Sequence, residues 1–190
     1  MIMLLRGLGL TCFLALSACS LVNESGVSVY RPFETQALQA HEQWAFAGRL
    51  AVADERESFS ASVNWRHRGV RDDIELLGPL AQGRLAISVA DGTVTIDDGE
   101  NQQEFFGSAE QVLSERLGVA MPVKSLKYWV FGIIDPDLPD VELDAGFMQA
   151  GWRVTFKDSH RIEAASLPKK INIEKDRTKI KLIVDQWDLS

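Results

Sequence analysis

The sequence predicts a mainly β chain in which a few short helices interrupt a meandering antiparallel sheet. From Trp44 onward, apolar residues recur with a period of two, leaving one dry face and one wet face. Turn signals separate the runs: Asp91-Gly92, Asp98-Gly99, Ala150-Gly151 and Lys175-Asp176-Arg177. Within the sheet-forming part, helix signals are confined to the stretch between residues 108 and 132.

The chain opens differently. Arg6 supplies a positive charge, Gly7 to Leu16 form a short apolar run, and small residues lead to Cys19. This is the layout of a secretory signal peptide over residues 1–18, and the run is too short for a membrane-spanning helix. Its ending, Leu16-Ser17-Ala18-Cys19, resembles the bacterial lipoprotein box, whose cysteine becomes the first mature residue and carries acyl chains. An ordinary signal peptide beside a chance cysteine is the other reading. In the first reading Cys19 is the lipidation site, and its covalent acyl groups are the one prosthetic feature expected. By the same resemblance, Ser20 rather than an aspartate points to the outer membrane of a Gram-negative cell. Residues 19–35 lack periodicity and read as a lipidated tether with a reach of about 20–24 Å. Residues 36–190 then form one domain, beginning with a short helix expected from Gln36 to Gln43.

Strands follow in order. Phe59, Ala61, Val63 and Trp65 share one face; Leu85, Ile87 and Val89, then Val94 and Ile96, continue it. Ser108 is placed to cap a helix, with Gln111 completing a capping box and Gly118 stopping it. Val112, Leu113 and Leu117 form its apolar stripe. Pro122 begins a second helix through Leu126, Trp129 and Val130 to Gly132. After a proline-rich loop, Asp135 to Asp140, come Trp152, Val154 and Phe156, then a hairpin pairing Ile171 and Ile173 with Ile180, Leu182 and Val184. So many dry strand faces, with so few helices to cover them, require the sheet to curl over itself. The result is either a barrel-like container with an apolar interior or a solid sandwich.

Composition narrows the function. Without residues 1–18 the chain keeps 19 basic against 27 acidic residues, a net charge of -8, which argues against a nucleic-acid binder. Both cysteines, Cys12 and Cys19, fall at or before the cleavage site, so no disulfide is expected in the mature domain. No catalytic constellation stands out. His41, His67 and His160 lie far apart in sequence and read as chance surface histidines, with no metal-ligand spacing. Neither a Gly-x-Ser-x-Gly elbow nor a Walker loop is present. Asp72-Asp73 and Asp97-Asp98 read as turn and edge residues, because neighbours on a strand face opposite ways. Asp135, Asp137 and Asp140 read as a solvated loop.

Two features remain. Residues 169–185 carry six basic residues against three acidic ones, including Lys169, Lys170, Lys179 and Lys181. They form either a solvated strand face or a docking patch for an acidic partner or lipid headgroups. Gly78-Pro79-Leu80-Ala81 lies between two strands; Pro79 fits the turn and Leu80 sits at its tip. Leu80 is either an ordinary exposed leucine or one that dips into lipid.

Taken in order, these residues resemble the outer-membrane lipoprotein receptor family LolB. The resemblance runs from Trp44 to Trp187. It rests on Trp44-x-x-x-Gly48-Arg49-Leu50-Ala51-Val52, Val63-Asn64-Trp65, Gly78-Pro79-Leu80, and Leu117-Gly118. It continues through Pro122-Val123-x-x-Leu126-x-x-Trp129-x-x-Gly132, Gly151-Trp152-x-Val154, Leu167-Pro168 and Lys179-Ile180-Lys181-Leu182. Ala81 departs from the family's usual glycine. The resemblance implies an incomplete antiparallel β-barrel of about 10–11 strands with a helical lid over an apolar cavity. Leu50, Val52, Val63, Trp65, Leu85, Ile87, Trp129, Trp152, Val154, Ile171 and Leu182 are the candidate cavity residues. It further implies a non-enzymatic, monomeric protein that takes acylated lipoproteins from the periplasmic carrier LolA and releases them into outer-membrane lipids. Pro79 and Leu80 occupy the family's insertion loop, and the basic hairpin is the candidate carrier dock. A structural lipoprotein that scaffolds an envelope assembly is the alternative, with a solid core and no ligand uptake.

Overall fold

A computed structural model describes residues 42–55, 57–79, 83–162 and 165–189. Within them the chain forms β1 (Gln43–Ala53), β2 (Ser58–Arg68), β3 (Arg71–Leu77), β4 (Arg84–Ala90), β5 (Thr93–Asp97) and β6 (Gln102–Phe106). Two helices follow, α1 (Ala109–Leu117) and α2 (Val123–Trp129). The chain closes with β7 (Asp140–Leu143), β8 (Gly146–Gln149), β9 (Trp152–Ile162), β10 (Ala165–Lys175) and β11 (Thr178–Asp188). The eleven strands form one antiparallel sheet in the order β6-β5-β4-β3-β2-β1-β11-β10-β9-β8-β7. It is an incomplete barrel whose edges are β6 and β7, and the chain between those edges is the helical segment. The lipidation and tether readings, and Gln36 to His41 of the expected leading helix, lie outside the described residues; Gln43 begins β1.

Alternation builds the core. Trp44, Phe46, Leu50 and Val52 of β1 are buried, as are Val63 and Trp65 of β2 and Ile180, Leu182 and Val184 of β11. The expected hairpin is present, with Ile171 opposite Leu182 and Ile173 opposite Ile180. One irregularity redirects it. The register of β1 against β11 shifts between Ala47 and Gly48, skipping Asp185, so Trp187 falls opposite Phe46 and joins its face. The indole of Trp187 then packs on Phe46 at 5.4 Å and on Phe131 at 4.8 Å, ring centre to ring centre. Gly48 sits in this bulge because a Cβ there would run into the carbonyl of Ile183.

Ser108 caps α1: its Oγ accepts from the Gln111 amide at 3.2 Å. Only half of the expected capping box forms, because the Gln111 side chain donates instead to Glu115 at 3.0 Å. Gly118 ends the helix in the left-handed region at φ 71°. The second helix is shorter than its sequence pattern, stopping at Trp129 with Val130 as its cap. It has no side-chain cap of its own; Glu110 of α1 accepts from its Lys124 amide at 2.6 Å.

The loop after α2 differs from the solvated loop that its aspartates suggested. Asp135 is fully buried, and its Oδ2 accepts from Ser125 Oγ of α2 at 2.8 Å. Gln149, at the end of β8, is 1 % exposed. Its Oε1 accepts from Trp129 Nε1 (2.9 Å) and the Asp135 amide (2.8 Å). Its Nε2 donates to the carbonyls of Asp135 (2.9 Å) and Leu138 (3.0 Å). One amide thus latches α2 and its following loop to the sheet.

Gln149→Ala leaves the Trp129 indole and the loop's backbone groups without this partner, and is expected to destabilise the fold by about 3 kcal/mol. Urea unfolding reads the change as a lower midpoint. Gly48→Ala forces a methyl group into a neighbouring backbone and is expected to cost about 1–3 kcal/mol by the same measurement.

Candidate functional site

The inner faces of β1 to β4 and β11 curve toward the helices and meet them across an apolar space. Phe46, Leu50, Val63, Trp65, Ile74, Leu76, Ile87 and Leu182 form the wall; Leu113, Leu117, Met121, Val123 and Leu126 form the roof. Every exposed patch of that lining is apolar, and the cavity is about 40 Å³. An apolar cavity of about 150 Å³ is what benzene occupies in a protein core, so this space as it stands is smaller than a benzene site.

The sequence-derived candidates divide around this space. Leu50, Val63, Trp65, Ile87 and Leu182 line it. Val52, Val154 and Ile171 are buried in the sheet away from it, while Trp129 and Trp152 pack together at 6.5 Å farther along the barrel. Leu85 is half-buried at the rim. The roof residues Met121 and Val123 carried no signal of this role, lying in a loop and at a helix start. Gln149 carried none either, as a lone amide before a turn.

Pro79 stands at the described edge of the β3–β4 loop, whose base is closed by the Gly78 amide donating to the Gly83 carbonyl at 3.0 Å. Leu80 and Ala81 lie outside the described residues. The hairpin lysines lie in the middle of the sheet rather than at its edges. Lys179 and Lys181 are exposed on the outer side of β11, opposite the buried Ile180 and Leu182. Lys170 donates to Asp158 at 2.6 Å, and this hydrogen bond holds the Asp158 carboxyl below its ordinary range. Arg49 grips both oxygens of Asp185 at 3.1 and 2.9 Å, lowering that carboxyl likewise. Lys169, half-buried, adds to the field on both carboxylates. Arg177 of the β10–β11 turn pairs with Glu55 of the β1–β2 turn.

Two polar residues depart from their expected surface placement. Asp72 is buried, accepting from Trp65 Nε1 at 2.9 Å and lying 2.8 Å from His67 Nδ1. His67 stacks on Trp44 at 5.1 Å between ring centres. The group acts as a polar rivet that fixes the indole of Trp65 in the cavity wall. His160 approaches the Val184 carbonyl at 2.9 Å, and no group of three or more potential metal-ligand side chains is found among the described residues.

Comparison with known proteins agrees with this architecture. The family model for the outer membrane lipoprotein LolB matches residues 42–187. The outer-membrane lipoprotein LolB of Nitrosococcus oceani is 34% identical over 160 residues, covering 80% of each chain. That of Halorhodospira halophila is 29% identical over 191 residues, covering 96% of this chain and 94% of the other. Among solved structures, a LolA superfamily protein from Nitrosomonas europaea superposes with a TM-score of 0.51 at 10% identity. The match covers 86% of this chain and 90% of that one, a likeness of fold alone. This chain belongs to the outer-membrane lipoprotein LolB family, lipoproteins of the Gram-negative outer membrane.

Proposed function

We propose that this protein accepts acylated lipoproteins from the periplasmic carrier LolA and inserts them into the outer membrane, to which acyl groups on Cys19 tether it. The observation that carries the reading is the wholly apolar cavity beneath helices that bridge the sheet's open edges. An acyl chain of about 16 carbons hides on the order of 12 kcal/mol of apolar surface from water, at about 0.8 kcal/mol per CH₂. Crossing an aqueous compartment therefore requires a dry lining at every stage. Transfer needs no nucleotide hydrolysis where each successive site binds the chain better than the one before. Each step of about 1.4 kcal/mol between sites gives a tenfold bias. In this reading Lys169, Lys170, Lys179 and Lys181 align an acidic carrier, and Pro79 and Leu80 meet the bilayer.

The small closed cavity also favours a second reading, a scaffold with a solid core. Displacement of a fluorescent fatty acid separates the two, since a scaffold takes up none.

Cys19→Ala, with its signal peptide still processed, is expected to move the protein from the membrane fraction to the soluble periplasm. Retention in the membrane overturns the anchor. In a reconstituted transfer assay, the chain from residue 20 onward is expected to remove cargo from loaded LolA. Leu80→Glu is expected to keep that uptake while lowering delivery to vesicles about tenfold, because a carboxylate resists entry into hydrocarbon. Equal loss of both steps removes the loop's role, and no uptake from an active carrier removes the receptor reading.

A further inference from the structure

The inner face of β2 is covered unevenly. Trp65 and Val63 are 4% and 3% exposed, yet Ala61 and Phe59, next in the same inward row, are only half-buried. The strand keeps its alternation here, and Leu117, the last residue of α1, is the helical residue that lines this end of the row. Leu85, paired with Leu76 across β3 and β4, is half-buried as well. Among the described residues this leaves a groove of about 310 Å³, several times the core cavity. Phe59, Ala61, Leu76, Pro79, Leu85 and Leu117 make its lining almost wholly apolar. Leu76 and Leu117 belong to both spaces, so two leucines are the partition between them. From Val63 to Phe59 the wall runs about 13 Å at 3.3 Å per residue, ending at the root of the 78–83 loop.

We infer that this groove is a second acyl-chain subsite, outside the core cavity and continuous with it past Leu117. It holds part of a lipoprotein's acyl chain while the core is closed. The inference rests on the receptor reading above. Its occupant follows from the wall: an elongated apolar trough with scarcely any polar groups fits a polymethylene chain. Its position makes it the outlet, since a chain sliding past Leu117 stays on apolar surface from the core to the loop root.

The test uses cargo lipoprotein carrying a diazirine in its palmitoyl chains, transferred from LolA to the full-length protein, irradiated, and mapped by mass spectrometry. Adducts are expected at Phe59, Ala61 or Leu85 as well as at core residues such as Leu126. Ala61→Trp, whose larger ring enters open groove, is expected to abolish the rim adducts and retain the core ones. It is also expected to slow delivery to vesicles about tenfold, because the interrupted path exposes methylene groups to water. Core adducts without rim adducts in the unsubstituted chain overturn the subsite and leave the receptor reading intact. Unchanged delivery by a folded Ala61→Trp protein overturns the outlet. Absence of cargo uptake and of all adducts overturns the receptor reading itself.

Discussion

The pairing of β1 with β11 governs this architecture. A meander of eleven strands in plain sequence order would leave its first and last strands as edges and bury the helical segment's attachment points in mid-sheet. Joining the chain's two ends instead moves the edges to β6 and β7, on either side of α1 and α2. The helices thereby fall where the barrel is open, and no separate domain is needed to supply a roof. Both edge strands are short, five and four residues, against eleven in β1 and β11. Short edges offer little template for unwanted strand pairing. The bulge at Asp185 completes the junction by turning Trp187 inward against Phe46 and Phe131, so the segment after α2 docks on the seam between first and last strands.

The two halves of the roof are held by different forces. Behind α2 lies a buried polar network in which Gln149 and Asp135 join helix, loop and strand. Such a network has one good geometry and loses several hydrogen bonds if displaced. By contrast α1 packs on the sheet through Val112, Leu113 and Leu117, its polar contacts lying at the surface, with Arg116 over the Phe105 ring and Glu110 on the Lys124 amide. Apolar contact is non-directional and tolerates sliding. The roof is thus held mainly by directional hydrogen bonds on the α2 side and mainly by apolar contact on the α1 side, to which Leu117 belongs.

Most of the barrel was legible because alternation records a one-sided environment. Phe59 to Trp65, Leu85 to Val89 and the closing hairpin all face the interior on one side only. Of the strands that carried no such pattern, β6 (Gln-Gln-Glu-Phe-Phe) and β7 (Asp-Val-Glu-Leu) are the edges; their residues are mostly exposed on both faces, so nothing selects alternation, whereas the interior β8 (Gly-Phe-Met-Gln) is buried on both. The turn of Trp187 to the inside was hidden, since a bulge changes parity without a residue type that announces it. Asp72, Asp135 and Gln149 were hidden for a further reason. A buried polar residue looks like a surface one until its partners, which lie far off in sequence, are known. Ser108 and Gly118 were legible because capping is local, although the Gln111 side chain found Glu115 a better partner than the cap.

A container whose closed cavity is only about 40 Å³ looks at first like a contradiction. Energetics reverses that impression. Holding open an empty apolar space costs about 24 cal/mol per Å³, so a pocket of about 400 Å³ would cost on the order of 10 kcal/mol. That equals the whole stability of a typical domain. On the proposed reading, a receptor waiting for cargo avoids that cost by resting with its interior packed, and the small cavity is consistent with that role. Collapse also tunes affinity in the useful direction. On that reading, reopening the core would subtract from the roughly 12 kcal/mol that burying a chain of about 16 carbons provides, so the chain would be held less tightly than in a bilayer, where no packed interior must first be parted. The proposed rim groove needs no such rearrangement, and would offer a departing chain apolar contact while the core recloses behind it.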